Sequence, residues 1–273
     1  MRTRRQALGQ HFLKDQGVVD RILKMAESRF DAKRAGSIVE VGPGRMAITY
    51  GLAELASSKG VPLYLVERDR KLEPILREGL AGLEADLRFF DAASETMKEL
   101  IVELATSGKG PVLFVSNLPY SASSQILARL CEVREHLSGA VVMMQKELAG
   151  RLLAKPGDRG SGSFSWLMQS YFKNQGSFDV SPGAFYPPPK VMSTVLDLVP
   201  LDKPMLADAT EAAAFETFSK RIFSGRRKML RNLAEGLDEV GFNALGLTGQ
   251  ERPEAISLNQ ALALFRALRA LHG

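Results

Sequence analysis

The stretch that decides the fold is residues 38–47, which read IVEVGPGRMA. A short β-rich run ends here in a glycine-rich turn, and a helical pattern follows from Ala47. Glycines at a strand-to-helix turn let the backbone approach a ligand closely, beside the positive end of the helix dipole. The stretch therefore predicts a ligand site at the end of the first strand of an α/β sheet.

The same alternation of strand and helix continues from Ser37 to about Gln145, which is typical of parallel βαβ units. The predicted strands are Ser37–Val41, Leu63–Glu67, Leu87–Phe90, Val112–Ser116 and Gly139–Met144. The predicted helices are Ala47–Ser58, Lys71–Leu80, Glu95–Thr106 and Ser123–Glu132. Together these segments predict a doubly wound α/β sheet.

The next part of the chain predicts an antiparallel edge to this sheet. Helical segments over Gln145–Leu153 and Phe164–Asn174 precede two further strands, around Ser177 and over Met192–Leu198. Two strands without a long helix between them favour an antiparallel pair. A parallel sheet closed by such a pair is typical of methyltransferases that use S-adenosylmethionine.

No convincing strand pattern follows Asp202. Helical patterns are present instead over Thr210–Phe223, Arg226–Leu237 and Leu258–Leu271. We therefore expect one large domain over residues 1–200 and a small, all-helical domain over residues 201–273, with the linker near Pro200–Pro204.

The composition is that of a globular protein with a modest basic excess. The 273 residues include 36 Lys and Arg against 31 Asp and Glu, a formal net charge of +5 that permits a polyanionic partner. Cys131 is the single cysteine, so neither an intrachain disulfide nor a cysteine zinc cluster is expected. No apolar run approaches the length of a membrane span, and we expect a cytoplasmic protein without a membrane partner.

Residues 117–120, Asn-Leu-Pro-Tyr, directly follow a predicted strand and suggest a clamp for a nucleobase. Proline pushes the preceding residue toward extended conformations, so the Leu118 carbonyl stays free. Together with the side-chain oxygen of Asn117 it offers two acceptors for the hydrogens of an exocyclic amine, and Tyr120 offers a face for stacking. The alternative is an ordinary strand-to-loop turn with a buried tyrosine.

The glycine turn leaves two classes of cofactor open. Gly42, Gly44 and Ala47 satisfy the dinucleotide fingerprint, and Glu67 ends the second strand at a distance suited to a ribose hydroxyl. An NAD enzyme is therefore one alternative, although it would need a catalytic acid or base that the sequence does not offer.

Three features favour S-adenosylmethionine over NAD. Glu40 stands just before the glycines, where a carboxylate suits a cationic ligand better than a pyrophosphate. Pro43 removes one amide that a pyrophosphate would need. Asp91, at the end of the third strand, offers an acceptor for an adenine amino group. Strand-end carboxylates exposed to solvent remain the other interpretation of Glu67 and Asp91.

Nine motifs occur in an order that resembles one family, the ribosomal RNA adenine N6,N6-dimethyltransferases that act on the small subunit. The motifs are Leu8–Leu13, Val39–Gly44, Glu67, Asp91, Asn117–Tyr120, Gln145–Glu147, Phe185–Val191, Arg226–Lys228 and Arg252–Glu254. The resemblance covers nearly the whole chain and implies a Rossmann-like class I methyltransferase sheet with a small C-terminal helical domain. It also implies dimethylation of an adenine N6 with S-adenosylmethionine as cofactor and no metal, on the RNA of a small ribosomal subunit precursor.

The resemblance also implies roles for individual residues. The implied cofactor-binding residues are His11, Leu13, Gly42, Gly44, Glu67, Asp91 and Asn117. The implied catalytic residues are Asn117, Leu118, Tyr120 and Phe185, with Phe185 closing over the target base opposite Tyr120. From the residue type alone, Phe185 is more simply a core residue.

The chain departs from the family pattern at four positions. His11 replaces a usual asparagine, Met46 a small residue and Phe90 a glycine, while Ser161-Gly162 replaces a Tyr-Gly pair. We expect the first three to reshape the cofactor pocket and the last to affect contacts with the substrate.

A basic segment near the C-terminus predicts contact with RNA phosphates. Between Lys220 and Arg231 there is no acidic residue. The basic residues of this segment are Lys220, Arg221, Arg226, Arg227, Lys228 and Arg231. An exposed helix face that binds nothing is the alternative, and Arg2, Arg4 and Arg5 add a second basic stretch.

Two further alternatives remain for the function. One is an enzyme of the macrolide-resistance type that methylates large-subunit RNA, which resembles this chain in its catalytic half. The other is a non-catalytic RNA-binding assembly or transcription factor that keeps the fold. The motifs Arg226–Lys228 and Arg252–Glu254 favour the small-subunit family, and a monomer is the default expectation.

Overall fold

A computed structural model describes residues 11–33 and 35–272 of the chain. Arg2, Arg4 and Arg5 of the predicted basic stretch lie outside the described residues. The chain divides into two compact units, one formed by Met1–Ala149 and Phe172–Pro200, the other by Gly150–Tyr171 and Leu201–Gly273. Residues 150–171, which we had expected in the catalytic domain, thus group with the C-terminal helical part.

The described residues form the following strands and helices. The strands are β1 Phe12–Leu13, β2 Ser37–Val41, β3 Leu63–Glu67, β4 Ala85–Phe89, β5 Val112–Asn117, β6 Leu137–Gln145, β7 Phe172–Val180, β8 Phe185–Tyr186 and β9 Ser193–Pro200. The helices are α1 Gln16–Lys33, α2 Thr49–Lys59, α3 Glu73–Gly79, α4 Glu95–Leu104, α5 Ser123–Glu132, α6 Lys146–Leu152, α7 Ser163–Gln169, α8 Ala209–Ser224, α9 Glu239–Ala244 and α10 Leu258–His272. In the described ranges, no helix has both the length and the apolar character that crossing a bilayer requires.

The first unit is built on a seven-stranded sheet in the order β4-β3-β2-β5-β6-β9-β7. Its first five strands are parallel, and β9 is antiparallel to both β6 and β7. The strand order reverses beside β2, so the carboxyl ends of β2 and β5 border the crevice where open α/β sheets bind their ligands. The prediction of a doubly wound sheet with an antiparallel edge is confirmed.

Helix α1 was not predicted from the sequence, although it carries a regular apolar face. Val19, Ile22, Ala26 and Phe30 recur at helical spacing and are buried against the sheet. Arg29 lies on the same face and pairs with the buried Asp197 of β9, at 2.6 Å between Nη2 and Oδ2. A buried arginine needs such a partner, because an unpaired charge away from water is costly.

Two predicted helices are wrong in part. The helix predicted over Phe164–Asn174 ends at Gln169, because Phe172 begins β7 at the sheet edge. The helix predicted over Arg226–Leu237 is reduced to a 3₁₀ turn at Leu230–Asn232. There the amides of Leu230 and Arg231 donate to carbonyls of the loop at Gly249–Glu251, which leaves them unavailable for an α-helical ladder.

The second unit is helical and has its own aromatic core. Trp166 of α7 meets Phe223 edge-on, with ring centroids 4.6 Å apart, and stacks near Phe215 of α8. Phe215 in turn contacts Phe265 of α10, at 5.3 Å between centroids. These rings give the small unit a hydrophobic core to which α7, α8 and α10 contribute.

Candidate active site

A cavity of about 250 Å³ lies at the carboxyl ends of the parallel strands in the first unit. Nine of the residues predicted for catalysis or cofactor binding line it. They are His11, Leu13, Gly42, Gly44, Glu67, Asp91, Asn117, Leu118 and Tyr120. Phe185 is not among the lining residues. All the residues predicted for catalysis or cofactor binding except Phe185 are therefore gathered in one cavity.

The glycine turn after β2 brings bare backbone to the cavity wall. Gly42 and Gly44 have φ angles of +71° and +57°, a left-handed conformation that side chains disfavour. A Cβ at Gly44 would lie 3.1 Å from the ring of Phe12, so a side chain there would press on that ring. The Gly42 amide donates to the Val66 carbonyl at 2.8 Å, which ties the turn to β3.

Glu40 is a buried carboxyl at the cavity. It is 2% exposed, and its Oε2 atom has no hydrogen-bond partner among the described residues. Burial raises the pKa of Glu40 to about 8, the Thr49 hydroxyl lowers it in part, and the charge of Glu67 raises it further. A buried oxygen left without a donor suits a cationic ligand that would supply one.

Glu67 ends β3 and is held by the backbone that follows it. Its Oε1 atom accepts hydrogen bonds from the amides of Arg68 and Asp69, at 2.8 and 2.9 Å. Burial raises the pKa of Glu67, while the amides of Asp69, Arg68 and Gly44 partly offset that effect. These bonds fix the side chain of Glu67, which lines the cavity.

Asp91 stands after β4 at the other end of the cavity. Its Oδ1 accepts from the Ala93 amide at 2.9 Å, and its Oδ2 lies 3.2 Å from Nη1 of Arg68. Both side chains of this ion pair are substantially exposed. Asp91 lines the cavity and keeps part of its side chain exposed to solvent.

The turn after β5 carries two hydrogen-bond acceptors, on Asn117 and Leu118. Asn117 donates from Nδ2 to the His11 carbonyl at 3.4 Å, so its Oδ1 is the end that remains as an acceptor. The Leu118 amide donates to the Met143 carbonyl at 2.9 Å. Among the described loop and turn residues, no backbone amide donates to the Leu118 carbonyl. Two acceptors thus stand side by side at the cavity wall.

Tyr120 completes this turn and is held at its far end by a residue that sequence reasoning missed. Its hydroxyl lies 2.6 Å from the hydroxyl of Ser193, which is fully buried at the start of β9. Burial raises the pKa of the Tyr120 hydroxyl, and the bond to Ser193 lowers it in part. The ring centroid of His11 lies 5.7 Å away at a tilt of 37°. Ser193 is 73 residues from Tyr120 in sequence, so no local pattern signals the contact.

Phe185 lies on the short strand β8 and is buried. Strand β8 pairs antiparallel with β1, and Phe185 lies opposite Leu13 while Tyr186 lies opposite Phe12. Phe185 and Leu13 both face the hydrophobic core, where Phe185 is 1% exposed. The ring is thus buried and does not line the cavity in this structure, and its role over the target base stays a prediction.

The four departures from the family pattern fall in different places. His11 and Phe90 line the cavity, and Nδ1 of His11 lies 2.8 Å from the Pro187 carbonyl. Met46 is buried with a φ of +65° and does not line the cavity. Ser161 is buried within the second unit. Of the four, only His11 and Phe90 therefore contribute to the cavity wall.

All six residues of the predicted basic segment are exposed in the second unit. Lys220 pairs with Glu216 one helical turn earlier. Arg226 donates to the Arg159 carbonyl at 2.7 Å and lies 3.8 Å from a Glu254 oxygen. For Arg227 and Lys228 the described residues offer no acidic partner. No cluster of three metal-ligating side chains occurs among the described residues.

The sheet order and the cavity at its carboxyl edge define the class of the protein as a class I methyltransferase. Two solved structures share the fold. A dimethyladenosine transferase from Plasmodium falciparum has a TM-score of 0.72 and 21% identity, and covers 93% of this chain and 96% of its own. The 23S rRNA methyltransferase ErmE has a TM-score of 0.67 and 24% identity, and the match covers 94% of this chain and 99% of the ErmE chain.

Sequence relatives define the family. The chain belongs to the ribosomal RNA adenine dimethylase family, whose model matches residues 1–268. The ribosomal RNA small subunit methyltransferase A of Hahella chejuensis is 37% identical over 261 residues, which is 93% of this chain and 89% of the relative. The protein of the same name from Geobacter metallireducens is 37% identical over 278 residues, which is 98% of this chain and 97% of the relative. The predicted family is confirmed. The family and the fold imply the use of S-adenosylmethionine.

Proposed function

We propose that this chain transfers two methyl groups from S-adenosylmethionine to the N6 atom of an adenine in small-subunit ribosomal RNA. One observation carries the proposal: the two acceptors of Asn117 and Leu118 open into the same cavity as the carboxylates Glu67 and Asp91. A site for an amine thus adjoins a site for a nucleoside. The names of the sequence relatives favour the small subunit as the source of that amine.

The cavity residues fit the proposed cofactor. The unpartnered oxygen of Glu40 suits the cationic methionine end, while the bare backbone at Gly44 allows close approach. Glu67, whose first oxygen is already occupied by backbone amides, offers its second to the ribose hydroxyls. Asp91 offers an acceptor to the adenine amino group, and His11 and Leu13 close the cavity from the N-terminal side.

The chemistry asked of the protein is mainly positioning. S-adenosylmethionine would supply a methyl group that its sulfonium already activates. The bond to the adenine nitrogen would form as the bond to sulfur breaks, S-adenosylhomocysteine would leave, and the proton of the methylated amine would pass to water. The adenine amine is a weak nucleophile, because its lone pair is delocalised into the ring. Acceptors on Asn117 and Leu118 aimed at the two amine hydrogens favour a pyramidal nitrogen and stabilise the positive charge that develops on it. Holding two reactants in attack geometry contributes roughly 7 to 11 kcal/mol in favourable cases.

The second transfer differs from the first. After one methylation the amine keeps a single hydrogen, so only one of the two acceptors remains engaged. The other acceptor faces a methyl group. The Asn117 side chain is the more adaptable of the two, because the Leu118 backbone is fixed by its bond to Met143. We therefore expect Asn117 to release its hydrogen bond in the second step.

Tyr120 is the ring that holds the target base. Its hydroxyl is anchored on Ser193, so the ring presents a fixed face to the cavity. A base must leave its stack to enter, at a cost of a few kcal/mol. Stacking on an aromatic ring contributes roughly 1 to 3 kcal/mol per base and offsets much of this cost.

The exposed basic segment, residues 220–231, binds the phosphates of the RNA. Four of its residues are available for phosphates, since no acidic partner among the described residues engages them: Arg221, Arg227, Lys228 and Arg231. The chain can act as a monomer, because one chain holds every residue assigned to the cofactor and to the base. A ribosomal RNA substrate and a single cysteine favour the cytoplasm as its site of action.

The test is methyl transfer from labelled S-adenosylmethionine to separated ribosomal subunits that lack the modification, followed by mapping of the label. We expect two methyl groups on one adenine N6 of the small-subunit RNA. Asn117→Ala should abolish most of this label. Label in the large subunit would point to an enzyme of the macrolide-resistance type, and binding without label would point to an assembly factor.

A further inference from the structure

The short ribbon of β1 and β8 has one buried face and one open face. Leu13 and Phe185 are directly opposite each other and both point into the core. Because neighbouring residues of a strand point to opposite sides, Phe12 and Tyr186 share the other face. Phe12 lines the cavity, while Tyr186 is 64% exposed. An open aromatic ring therefore stands next to the cavity wall.

A basic residue extends this face. The guanidinium of Arg45, which follows the glycine turn, lies over the ring of Phe12, with 4.9 Å between its central carbon and the ring centroid. Arg45 is exposed and lines the cavity as well. Within the described residues it forms no ion pair with a carboxylate. Arg45, Phe12 and Tyr186 thus form a strip at the cavity rim, which we call the rim strip.

We propose that the rim strip binds the RNA strand next to the target adenine, with Tyr186 stacking on a neighbouring base and Arg45 contacting a phosphate. The proposal rests on the proposed function, since it concerns the same substrate at the same cavity. It adds a further aromatic contact with RNA, at the exposed Tyr186, to those expected of Tyr120 and Phe185.

The chemistry of the rim strip fits single-stranded nucleic acid. An adenine that has been turned out of its stack leaves the adjoining nucleotides unstacked, and an aromatic face can take up one of them. A phosphate lies within one nucleotide of any such base, and an arginine without an acidic partner is suited to bind it. Lys190, exposed four residues beyond Tyr186, adds positive charge to the same segment. An acidic partner protein would use the charges but would have no need of the open ring.

The experiment compares variants for methylation of small subunits that lack the modification, and for equilibrium binding of the same subunits. Tyr186→Ala removes the ring, and Tyr186→Phe retains it. Tyr50→Ala is the matched control, because Tyr50 is a tyrosine of the same unit that is 49% exposed and does not line the cavity. Affinity for S-adenosylmethionine is measured for each variant.

We expect Tyr186→Ala to raise the KM and the Kd for subunits roughly 5- to 150-fold, the loss of one stacked base. Affinity for the cofactor should stay within about 2-fold, and Tyr186→Phe should behave like the unaltered protein. Arg45→Gln should weaken subunit binding and lower the slope of log K against log salt by about one, as for the loss of one phosphate contact. Equal effects of Tyr186→Ala and Tyr50→Ala would overturn the proposal, and so would a loss confined to cofactor affinity.

The two proposals fail in different ways. If the unaltered protein binds subunits without methylating them, the proposed function fails, and the Kd values still decide whether Tyr186 contacts the RNA. If it methylates them while Tyr186→Ala has no effect, only the rim strip is contradicted. If it does not bind subunits at all, both proposals fail.

Discussion

The Tyr120 hydroxyl lies 2.6 Å from the hydroxyl of Ser193, and this contact joins the turn after β5 to the first residue of β9. Ser193 is fully buried, so its position is set by the sheet. The contact restrains the ring of Tyr120 at the end that lies farthest from the backbone. A ring tethered at both ends loses little freedom when a base stacks on it.

We expect Tyr120→Phe and Ser193→Ala to lower kcat/KM for RNA by similar amounts, roughly 2- to 15-fold, as for the loss of one hydrogen bond. The double variant should be no worse than either single one, since both remove the same bond. Ser138→Ala is the control, because Ser138 is buried and its hydroxyl has no partner among the described residues. Additive losses measured by steady-state kinetics would contradict a shared contact.

Glu40 should make stability depend on pH. Its pKa is about 8 in the folded protein against 4.5 ordinarily, so the folded state binds more protons between these values. The free energy of unfolding should therefore fall as pH rises through that range, by at most about 1.4 kcal/mol per pH unit for this group. Urea unfolding at several pH values should show a smaller slope for Glu40→Gln. Glu103→Gln, an exposed change, should leave the slope unaltered.

Gly44→Ala tests the close approach at the glycine turn. The substitution places a Cβ 3.1 Å from the Phe12 ring and also strains a φ of +57°. Gly60→Ala has comparable strain at a φ of +67° but meets open space. Both variants should lose about 1 kcal/mol of stability in thermal unfolding. Only Gly44→Ala should lose affinity for S-adenosylmethionine in calorimetric titration, and equal affinities would exclude a ligand at this turn.

Asp91→Asn should weaken cofactor binding about 10-fold, because a charge-assisted hydrogen bond to the adenine amine becomes a neutral one. The kcat at saturating cofactor should change little, since the adenine end is remote from the transferred methyl group. Asp86→Asn provides the comparison. Asp86 pairs with Arg88 two residues along the same strand, β4, and does not line the cavity. A drop in kcat without loss of affinity would argue against this role for Asp91.

The basic segment should act through phosphates. Arg227→Gln and Lys228→Gln should each weaken RNA binding to a similar degree for different sequences, and should lower the slope of log K against log salt by about one. Lys220→Gln should have a smaller effect, because Lys220 is already engaged by Glu216. Filter binding at several salt concentrations measures these slopes. A larger effect of Lys220→Gln would place the RNA on the other side of α8.

Local patterns were sufficient for much of the fold. Strands β2, β3 and β5 are largely buried and recur at regular intervals, so their hydrophobic pattern predicts the parallel sheet and the edge where ligands bind. Glu67, Asp91 and Asn117 were predictable for the same reason, since parallel strands end at one edge. Helix α1 was missed although its apolar face is regular.

Tertiary structure decided what depends on pairing between distant segments. The register of β1 with β8 turns Phe185 into the core and Tyr186 outward, and a shift of one residue would exchange them. The helix predicted over Arg226–Leu237 was wrong because the amides of Leu230 and Arg231 bond to a loop near residue 250. The sequence by itself thus determined the sheet, the edge that holds the site and the family. Which aromatic ring is open to a partner and which serine holds Tyr120 were set by contacts between segments many residues apart, because burial and register are properties of the folded chain.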